Sequence, residues 1–144
     1  MARAIRRAVT VPLLGDIGRI ISTCWNRQTS YDPVGWSSRN RGWGQCAVTA
    51  LIVQDLFGGV VLRGFVNGIE HYWNRLPNEE EVDLTRTQFA NVREVVSVAP
   101  ASREFILASP STAGRYAELK RRVSTKVSTT SNVSARSPSK TAVS

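Results

Sequence analysis

Cys46 and His71 are the two residues of this sequence whose types could together perform nucleophilic chemistry. Cys46 follows glycines at 42 and 44 and opens an apolar run at helical spacing that stops at Gly58-Gly59, so a helix is predicted to start at or just before it. The free N–H groups and the dipole of a helix N-terminus favour the thiolate form of a cysteine and could stabilise an oxyanion. His71 is the single histidine of the chain and is therefore the predicted general base.

A predicted β-hairpin over residues 71–85 places a carboxylate beside this base. Pro77-Asn78 is a turn signal, and a three-residue loop at 76–78, with Asn78 in the left-handed conformation, pairs residue 71 with residue 83. Directly opposed residues share one face of a hairpin, with Cβ atoms about 4.5–5.5 Å apart. We therefore expect Asp83 to contact His71 and to fix the tautomer of the imidazole.

The elements that must position these residues follow from hydrophobic periodicity and turn signals. We predict a helix from 12 to about 25, a long loop over 26–45, the Cys46 helix, and an antiparallel meander of strands 60–66, 69–76 and 80–84. An Asn67-Gly68 turn joins the first two strands, a fourth strand is expected at 92–98, and Ser109-Pro110 begins a helix over 110–123. Residues 1–11 are expected to be irregular. The predicted fold class is α+β, with N-terminal helices packed on a small antiparallel sheet and a C-terminal helix.

Charge is distributed unevenly along the chain of 144 residues, which carries a net charge of +8. Ten of the 19 basic residues, but one of the 11 acidic residues, lie in the segments 1–8 and 115–144, so residues 9–114 are nearly neutral. This argues against a specific nucleic-acid-binding face, although the basic tail could contact polyanions weakly. Residues 124–144 include eleven Ser or Thr and no aromatic residue, so we predict one domain over 1–123 followed by a disordered basic tail.

Two cysteines and one histidine exclude several classes of site. Cys24 and Cys46 provide neither a disulfide framework nor zinc-ligand spacing, so no metal and no cofactor is expected. We interpret Cys24, on the apolar face of the first helix, as a buried small hydrophobic residue. No apolar run approaches the ~20 residues of a membrane span, and the apolar stretch after Arg6-Arg7 is interrupted too early for an export signal. The sequence thus predicts a cytoplasmic protein with a reduced thiol at Cys46.

Three short motifs resemble the Cys–His–Asp core of the transglutaminase-like branch of papain-fold enzymes. They are Gly44-Gln45-Cys46 at a helix start, His71-x-Trp73-Asn74, and Val82-Asp83-x-Thr85. In that family the cysteine lies at a helix N-terminus, and the histidine and aspartate lie on adjacent antiparallel strands. The run from about Tyr31 to Phe89 also resembles the YunG-like proteins, a small bacterial family of unassigned function. The resemblance implies a papain-like core and a chemistry class, but it implies no substrate.

Three other residues are candidates for supporting the site. Gln45 could orient an oxyanion donor or solvate the helix terminus, and the resemblance favours the first role. Trp43, like Trp36, could line a substrate cleft or fill the core beneath the loop 26–45, and the core position is preferred for Trp43. Asn74 is an alternative orienting group for the imidazole, because papain-like sites can use an amide. Strand parity directs Asn74 away from the histidine, so it ranks behind the aspartate.

These residues predict acyl transfer on a peptide or amide substrate through a thioester intermediate. Hydrolysis is preferred slightly over transfer to an amine, because water needs no second binding site. The alternative is a non-catalytic module that keeps the fold and uses its cleft to bind a peptide or a partner protein. The sequence chooses neither an acyl acceptor nor an oligomeric state.

Overall fold

The described part of the chain combines helices with a four-stranded sheet. A computed structural model defines the backbone of residues 14–143 and the side chains of residues 14–129. Its elements are α1 (14–24), α2 (Cys46–Phe57), β1 (Val60–Val66), β2 (Ile69–Arg75), β3 (Glu81–Val82), β4 (Val95–Ala101), α3 (Arg103–Leu107) and α4 (Pro110–Val143). The fold class is α+β, as predicted, whereas the prediction for residues 1–11 lies outside the described residues.

The sheet has the strand order β3-β2-β1-β4, and each neighbouring pair is antiparallel. β1 and β2 form the predicted hairpin, whose two-residue turn consists of Asn67 (φ 51°) and Gly68 (φ 79°). Two successive positive φ values match the twist of the flanking strands, which is why Asn-Gly is favoured there. β4 begins at Val95 rather than at residue 92, because the backbone N–H groups of Arg93 and Glu94 donate to the Asn67 side chain instead of to a strand.

The register between β2 and β3 differs from the prediction by two residues. Residue 75 pairs with residue 81, whereas the predicted loop paired it with residue 79. The loop keeps its length of three residues but starts one residue later, at Pro77, and Glu79 (φ 75°) takes the left-handed conformation in place of Asn78. A shift of two residues preserves the side-chain faces of a strand. Asp83 therefore remains on the face that carries His71.

Helix α2 lies at the centre of the hydrophobic core, and its residues 48–53 are all buried. One cluster joins α2 to α1 and α4, and it consists of Ile21, Cys24, Trp25, Val48, Ile52, Val53, Leu76, Leu119 and Val123. A second cluster joins α2 to the sheet and to α3, and it consists of Ala50, Leu51, Val61, Tyr72 and Ile106. Cys24 is 5% exposed and has the predicted role of a small buried hydrophobic residue.

Helix α4 continues past residue 123, where the sequence prediction ended it. Leu119 and Val123 are buried, and Val127 packs against the same cluster one turn later. This spacing of four residues extends the apolar face of the helix beyond the predicted boundary. Most of the predicted tail, 124–144, lies outside the residues whose side chains are described. None of the helices in the described range has the length and hydropathy needed to cross a membrane.

The loop before α2 holds the helix N-terminus through Gly44. The Gly44 carbonyl accepts the Tyr31 N–H at 2.8 Å, and Ser30 Oγ donates to the carbonyl of Trp43 at 2.7 Å. Gly44 has a φ of 72°, and a Cβ at this position would lie 2.3 Å from Ser30 Oγ. Any side chain would therefore require both a strained φ and a displacement of Ser30. The position of Cys46 thus depends on glycine at residue 44.

The substitution Gly44→Ala is expected to destabilise the protein more than Gly68→Ala. Gly68 also has a positive φ, 79°, but a Cβ there meets no atom within 4 Å. Gly68→Ala therefore isolates the conformational cost, about 1 kcal/mol, whereas the contact with Ser30 adds about 1–3 kcal/mol at Gly44, as overpacking does. Urea unfolding followed by tryptophan fluorescence measures both free energies of unfolding. Equal losses in the two variants would contradict this account.

Candidate functional site

His71 lies on β2, is fully buried, and is hydrogen-bonded to Asp83. The distance between His71 Nε2 and Asp83 Oδ2 is 2.7 Å, and the histidine is 0% exposed. Asp83 follows β3 directly and is held by three further donors: the Thr85 N–H and Thr85 Oγ1 on Oδ1 at 3.2 and 3.3 Å, and Arg86 Nε on Oδ2 at 2.6 Å. The structure thus brings the predicted base and carboxylate together, although the strand register differs from the predicted one.

Cys46 is the first residue of α2 and is half-buried in the wall of a cavity. Its side chain lies close enough to His71 to raise the pKa of the imidazole, while the two ring nitrogens bond to Asp83 and Gln88. The N-cap residue, Gln45, makes no side-chain cap bond to any described residue, so the first-turn N–H groups of α2 are left without a cap beside the sulfur. Cys46 therefore lies near the hydrogen-bonded pair of His71 and Asp83.

Opposing effects act on the pKa of His71. Burial disfavours the imidazolium and lowers the pKa, but the hydrogen bond to Asp83 and the interactions with Cys46 raise it, and the resulting pKa is about 9. Burial alone would raise the pKa of Asp83, but its hydrogen bonds and charge interactions with His71 and Arg86 outweigh burial and lower it. Both shifts favour an imidazolium beside a carboxylate over two neutral groups.

Gln88 contacts the other nitrogen of the imidazole, with its Nε2 at 3.2 Å from His71 Nδ1. Its orientation is set by Gly44, whose N–H donates to Gln88 Oε1 at 3.3 Å. Because a backbone N–H can only donate, the amide nitrogen of Gln88 must face the imidazole and donate to an unprotonated Nδ1. This contact favours the neutral imidazole, so its effect on the pKa of His71 is opposite to that of Asp83. Asp83 has the larger effect on the pKa, because its bond is shorter and charge-assisted.

Two aromatic rings enclose the imidazole. Trp73 stacks on it with ring centroids 5.7 Å apart and an interplanar angle of 21°, and Phe89 meets it edge-on at 5.0 Å and 82°. Phe89 and Gln88 belong to the segment after β3, where a short 3-10 turn spans Arg86–Gln88. Sequence reasoning missed both residues, because no periodicity relates an irregular segment to a face of β2. Their contacts fix the orientation of the ring and shield it from water.

Two of the predicted supporting residues hold α2 in place. Gln45 is fully buried, and its Nε2 donates to the carbonyl of Asn26 at 3.0 Å, which ties the loop before α2 to the helix start. Asn74 faces away from the histidine, as strand parity predicted, and its Nδ2 donates to the carbonyl of Ala50 at 2.9 Å. Asn74 therefore links the strand of the histidine to the helix of the cysteine, whereas Gln45 links that helix to the preceding loop.

Trp43, the third predicted supporting residue, lines the cavity and is not part of the core. Its indole N–H donates to Asp32 Oδ2 at 3.0 Å, and its side chain is half-buried. An indole N–H needs a polar partner when it leaves water, and this bond holds the ring at the cavity wall. Trp36 donates to the carbonyl of Arg41 at 2.8 Å and lies near the protein surface.

A cavity of about 770 Å³ opens beside Cys46. Its walls come from the loop before α2, the start of α2, β2, the segment after β3, α3 and the first turns of α4, and they include Trp43, Gln88 and Arg115. A second cavity of about 540 Å³ is also lined by Trp43 and Gln88. Volumes of several hundred Å³ are typical of small-ligand sites. Among the residues with described side chains, no group of three or more His, Cys, Asp or Glu could hold a metal ion.

The site thus belongs to an α+β protein in which a cysteine lines a cavity near a buried histidine that is bound to an aspartate. The sequence model of the YunG protein family matches residues 13–128. The chain therefore belongs to the YunG family. It is similar to the uncharacterized protein YunG of Bacillus subtilis (strain 168), with 35% identity over 85 residues, which cover 59% of this chain and 70% of that protein. No solved structure matches the chain. The YunG-like resemblance is confirmed, and the likeness to transglutaminase-like enzymes gains no support from these matches.

The NMR titration of His71 is expected to have a midpoint near pH 9, and its ring signal is unambiguous because the chain has one histidine. Asp83→Asn should lower this pKa, because it removes the charged acceptor, and Gln88→Met should raise it, because it removes a donor that favours the neutral ring. Glu79→Gln is the control, since it removes an exposed charge from the same hairpin. An unchanged midpoint in Asp83→Asn would show that another group sets the pKa.

The free energy of unfolding is expected to fall as the pH rises from about 6.5 to 9. The pKa of His71 in the folded protein exceeds its ordinary value of 6.5, so in this window the folded protein keeps a proton that the unfolded chain has released. The contribution is complete below pH 6.5, amounts to about 3 kcal/mol, and is lost as the pH passes 9. Urea titrations at several pH values measure it, and Asp83→Asn should show a weaker dependence. A rise in stability across this window would contradict the assignment.

Proposed function

We propose that this chain is a cysteine-dependent acyl-transfer enzyme that acts on a peptide or amide bond through a thioester. Cys46 is the nucleophile, His71 is the acid and base, and Asp83 orients the imidazole. One observation carries the proposal: a fully buried histidine is bound to a carboxylate at 2.7 Å, and its pKa is raised by a cysteine that lines a cavity. Titratable groups with shifted pKa values beside a cavity are typical of catalytic sites.

The proposed reaction has two steps. His71 takes the thiol proton, the sulfur of Cys46 bonds to the substrate carbonyl carbon, and the C–N bond breaks as the amine leaves with the proton from His71. Water then attacks the thioester while His71 takes its proton, the C–S bond breaks, and the proton returns to the sulfur as the acid leaves. The uncapped N–H groups in the first turn of α2 can stabilise the oxyanion in both steps.

Water is the preferred acyl acceptor in this proposal. The cavity beside Cys46 holds the acyl substrate, and water needs no further binding site, whereas an amine acceptor would. Gln45 and Asn74 support the chemistry indirectly, since their side chains hold α2 against the preceding loop and against β2. The resemblance to the transglutaminase-like branch of papain-fold enzymes agrees with this chemistry class. A reactive thiol also requires a reducing compartment such as the cytoplasm.

A non-catalytic peptide-binding or partner-binding module is the second candidate. Gln88 donates to His71 Nδ1, so the nitrogen that would take the thiol proton already has a partner. If the bond between Gln88 and His71 persists when a ligand binds, His71 and Asp83 only stabilise the fold. The cavity then binds the ligand without a reaction at Cys46. If the amide of Gln88 turns away, Nδ1 becomes available to Cys46. The reactivity of Cys46 therefore distinguishes the two functions.

Cys46 is expected to react with iodoacetamide at pH 6 at least tenfold faster than Cys24, because Cys46 lines a cavity near His71 whereas Cys24 is in the core. Peptide mapping by mass spectrometry measures both rates in the same molecule. His71→Gln should remove the advantage of Cys46, and Glu79→Gln should keep it.

Acylation of Cys46 tests the proposed reaction directly. p-Nitrophenyl acetate should leave an acetyl group on Cys46 that water removes, and faster removal by an added amine would identify amine transfer instead. Slow, equal alkylation of both cysteines, without acetylation of Cys46, would favour the binding module.

A further inference from the structure

Arg115 of α4 contributes a guanidinium to the wall of the Cys46 cavity. Its Nη2 donates to Thr112 Oγ1 at 3.1 Å, its Nη1 donates to the carbonyl of Thr29 at 3.5 Å, and the group lies 5.6 Å from the centre of the Tyr31 ring. The Nε atom is buried and has no hydrogen-bond partner among the described residues. Uncharged contacts therefore hold the guanidinium in place without neutralising its charge.

The carboxylates that line the same cavity have other partners. Asp32 accepts from Trp43 Nε1 at 3.0 Å and from the N–H of Gly35 at 3.1 Å. Glu70 is paired with Arg63 across the β1–β2 hairpin, with 2.8 Å between Arg63 Nε and Glu70 Oε2. The two acidic groups of the cavity wall are thus engaged elsewhere.

Arg115 differs in this respect from other arginines of α4. Arg121 and Arg122 both pair with Glu118, whereas Arg115 has no ion pair with any described side chain. Burial lowers the pKa of Arg115, and the charge of Cys46 acts in the opposite direction, so the two groups influence each other electrostatically. A partly buried cation without a counter-ion is unfavourable. A negatively charged ligand in the cavity would relieve this cost.

We propose that Arg115 binds a carboxylate of the substrate, so that the chain acts on amides or peptides that carry a carboxylate close to the scissile bond. This inference rests on the acyl-transfer function proposed for Cys46. The planar fork of a guanidinium matches the two oxygens of a carboxylate. Tyr72 and Ile106 also line the cavity, so the part of the ligand between the carboxylate and the reacting carbonyl would contact apolar surface.

Paired alkylation with iodoacetate and iodoacetamide tests the proposal in the full chain. Both reagents form an S–C bond and release iodide, but iodoacetate alone carries a carboxylate. In Arg115→Met, the rate of Cys46 with iodoacetate should fall about tenfold, the usual effect of losing a charged hydrogen bond, while the rate with iodoacetamide stays within about twofold. Arg115→Lys should retain most of the iodoacetate rate. Arg121→Met, an exposed arginine of the same helix, should retain all of it.

The two rates separate this inference from the proposed function. An iodoacetate rate that is unchanged in Arg115→Met would overturn the carboxylate site and leave the nucleophile intact. An equal fall in both rates would also overturn it, because Arg115 would then act on the sulfur and not on the reagent. Slow reaction of wild-type Cys46 with both reagents would instead remove the acyl-transfer function.

A second test needs no variant and measures whether small carboxylates protect Cys46 of the wild-type protein from alkylation. N-acetylalanine presents a terminal carboxylate, N-acetylglutamic acid α-amide presents a side-chain carboxylate, and N-acetylalanine amide presents none. At least one of the two acids should slow the labelling of Cys46 by iodoacetamide, and the stronger one identifies whether the substrate carboxylate belongs to a chain end or to an acidic side chain. Equal protection by the neutral amide, or none by either acid, would overturn the proposal.

Discussion

The fully buried imidazole of His71 is the constraint on which the rest of the site depends. A buried ring with two polar nitrogens needs a partner on each, because one unpaired buried polar group costs about 1–3 kcal/mol. Asp83 satisfies one nitrogen and Gln88 satisfies the other. Both partners lie in the segment after β3, which has little regular structure of its own. The need of the buried imidazole for a hydrogen-bond partner on each nitrogen therefore determines the path of this segment.

The same segment also connects the histidine to the start of α2. Gln88 accepts the Gly44 N–H through its side chain, and its backbone carbonyl accepts Asn40 Nδ2 at 3.0 Å. The loop that leads to Cys46 and the ring of His71 are thus held by one glutamine. Connected hydrogen bonds of this kind act as a unit, so a change in any of them alters the relation between the cysteine and the histidine.

Positive charge surrounds the sulfur of Cys46 on two sides. His71, with its raised pKa, lies on the side of the sheet, and Arg115 lies on another wall of the cavity. The hydrogen bond to Asp83 favours the charged form of the histidine, and Arg86 shares that carboxylate from the half-exposed side. An anionic ligand is favoured in such a field. The proposed carboxylate site therefore follows from this charge distribution.

The amino-acid sequence alone accounts for the local elements of the site. Helix α2 begins at Cys46 and ends before Gly58, and the Asn67-Gly68 turn forms, because these features depend on the φ preferences of a few neighbouring residues. It also determined that Asp83 shares a face with His71, since side-chain parity survives a shift of two residues. The contacts of Gln88, Trp43 and Arg115 depend instead on the packing of the whole fold. These residues lie in irregular or distant segments, and their partners are set by how the helices and loops pack, which no periodicity in the chain encodes.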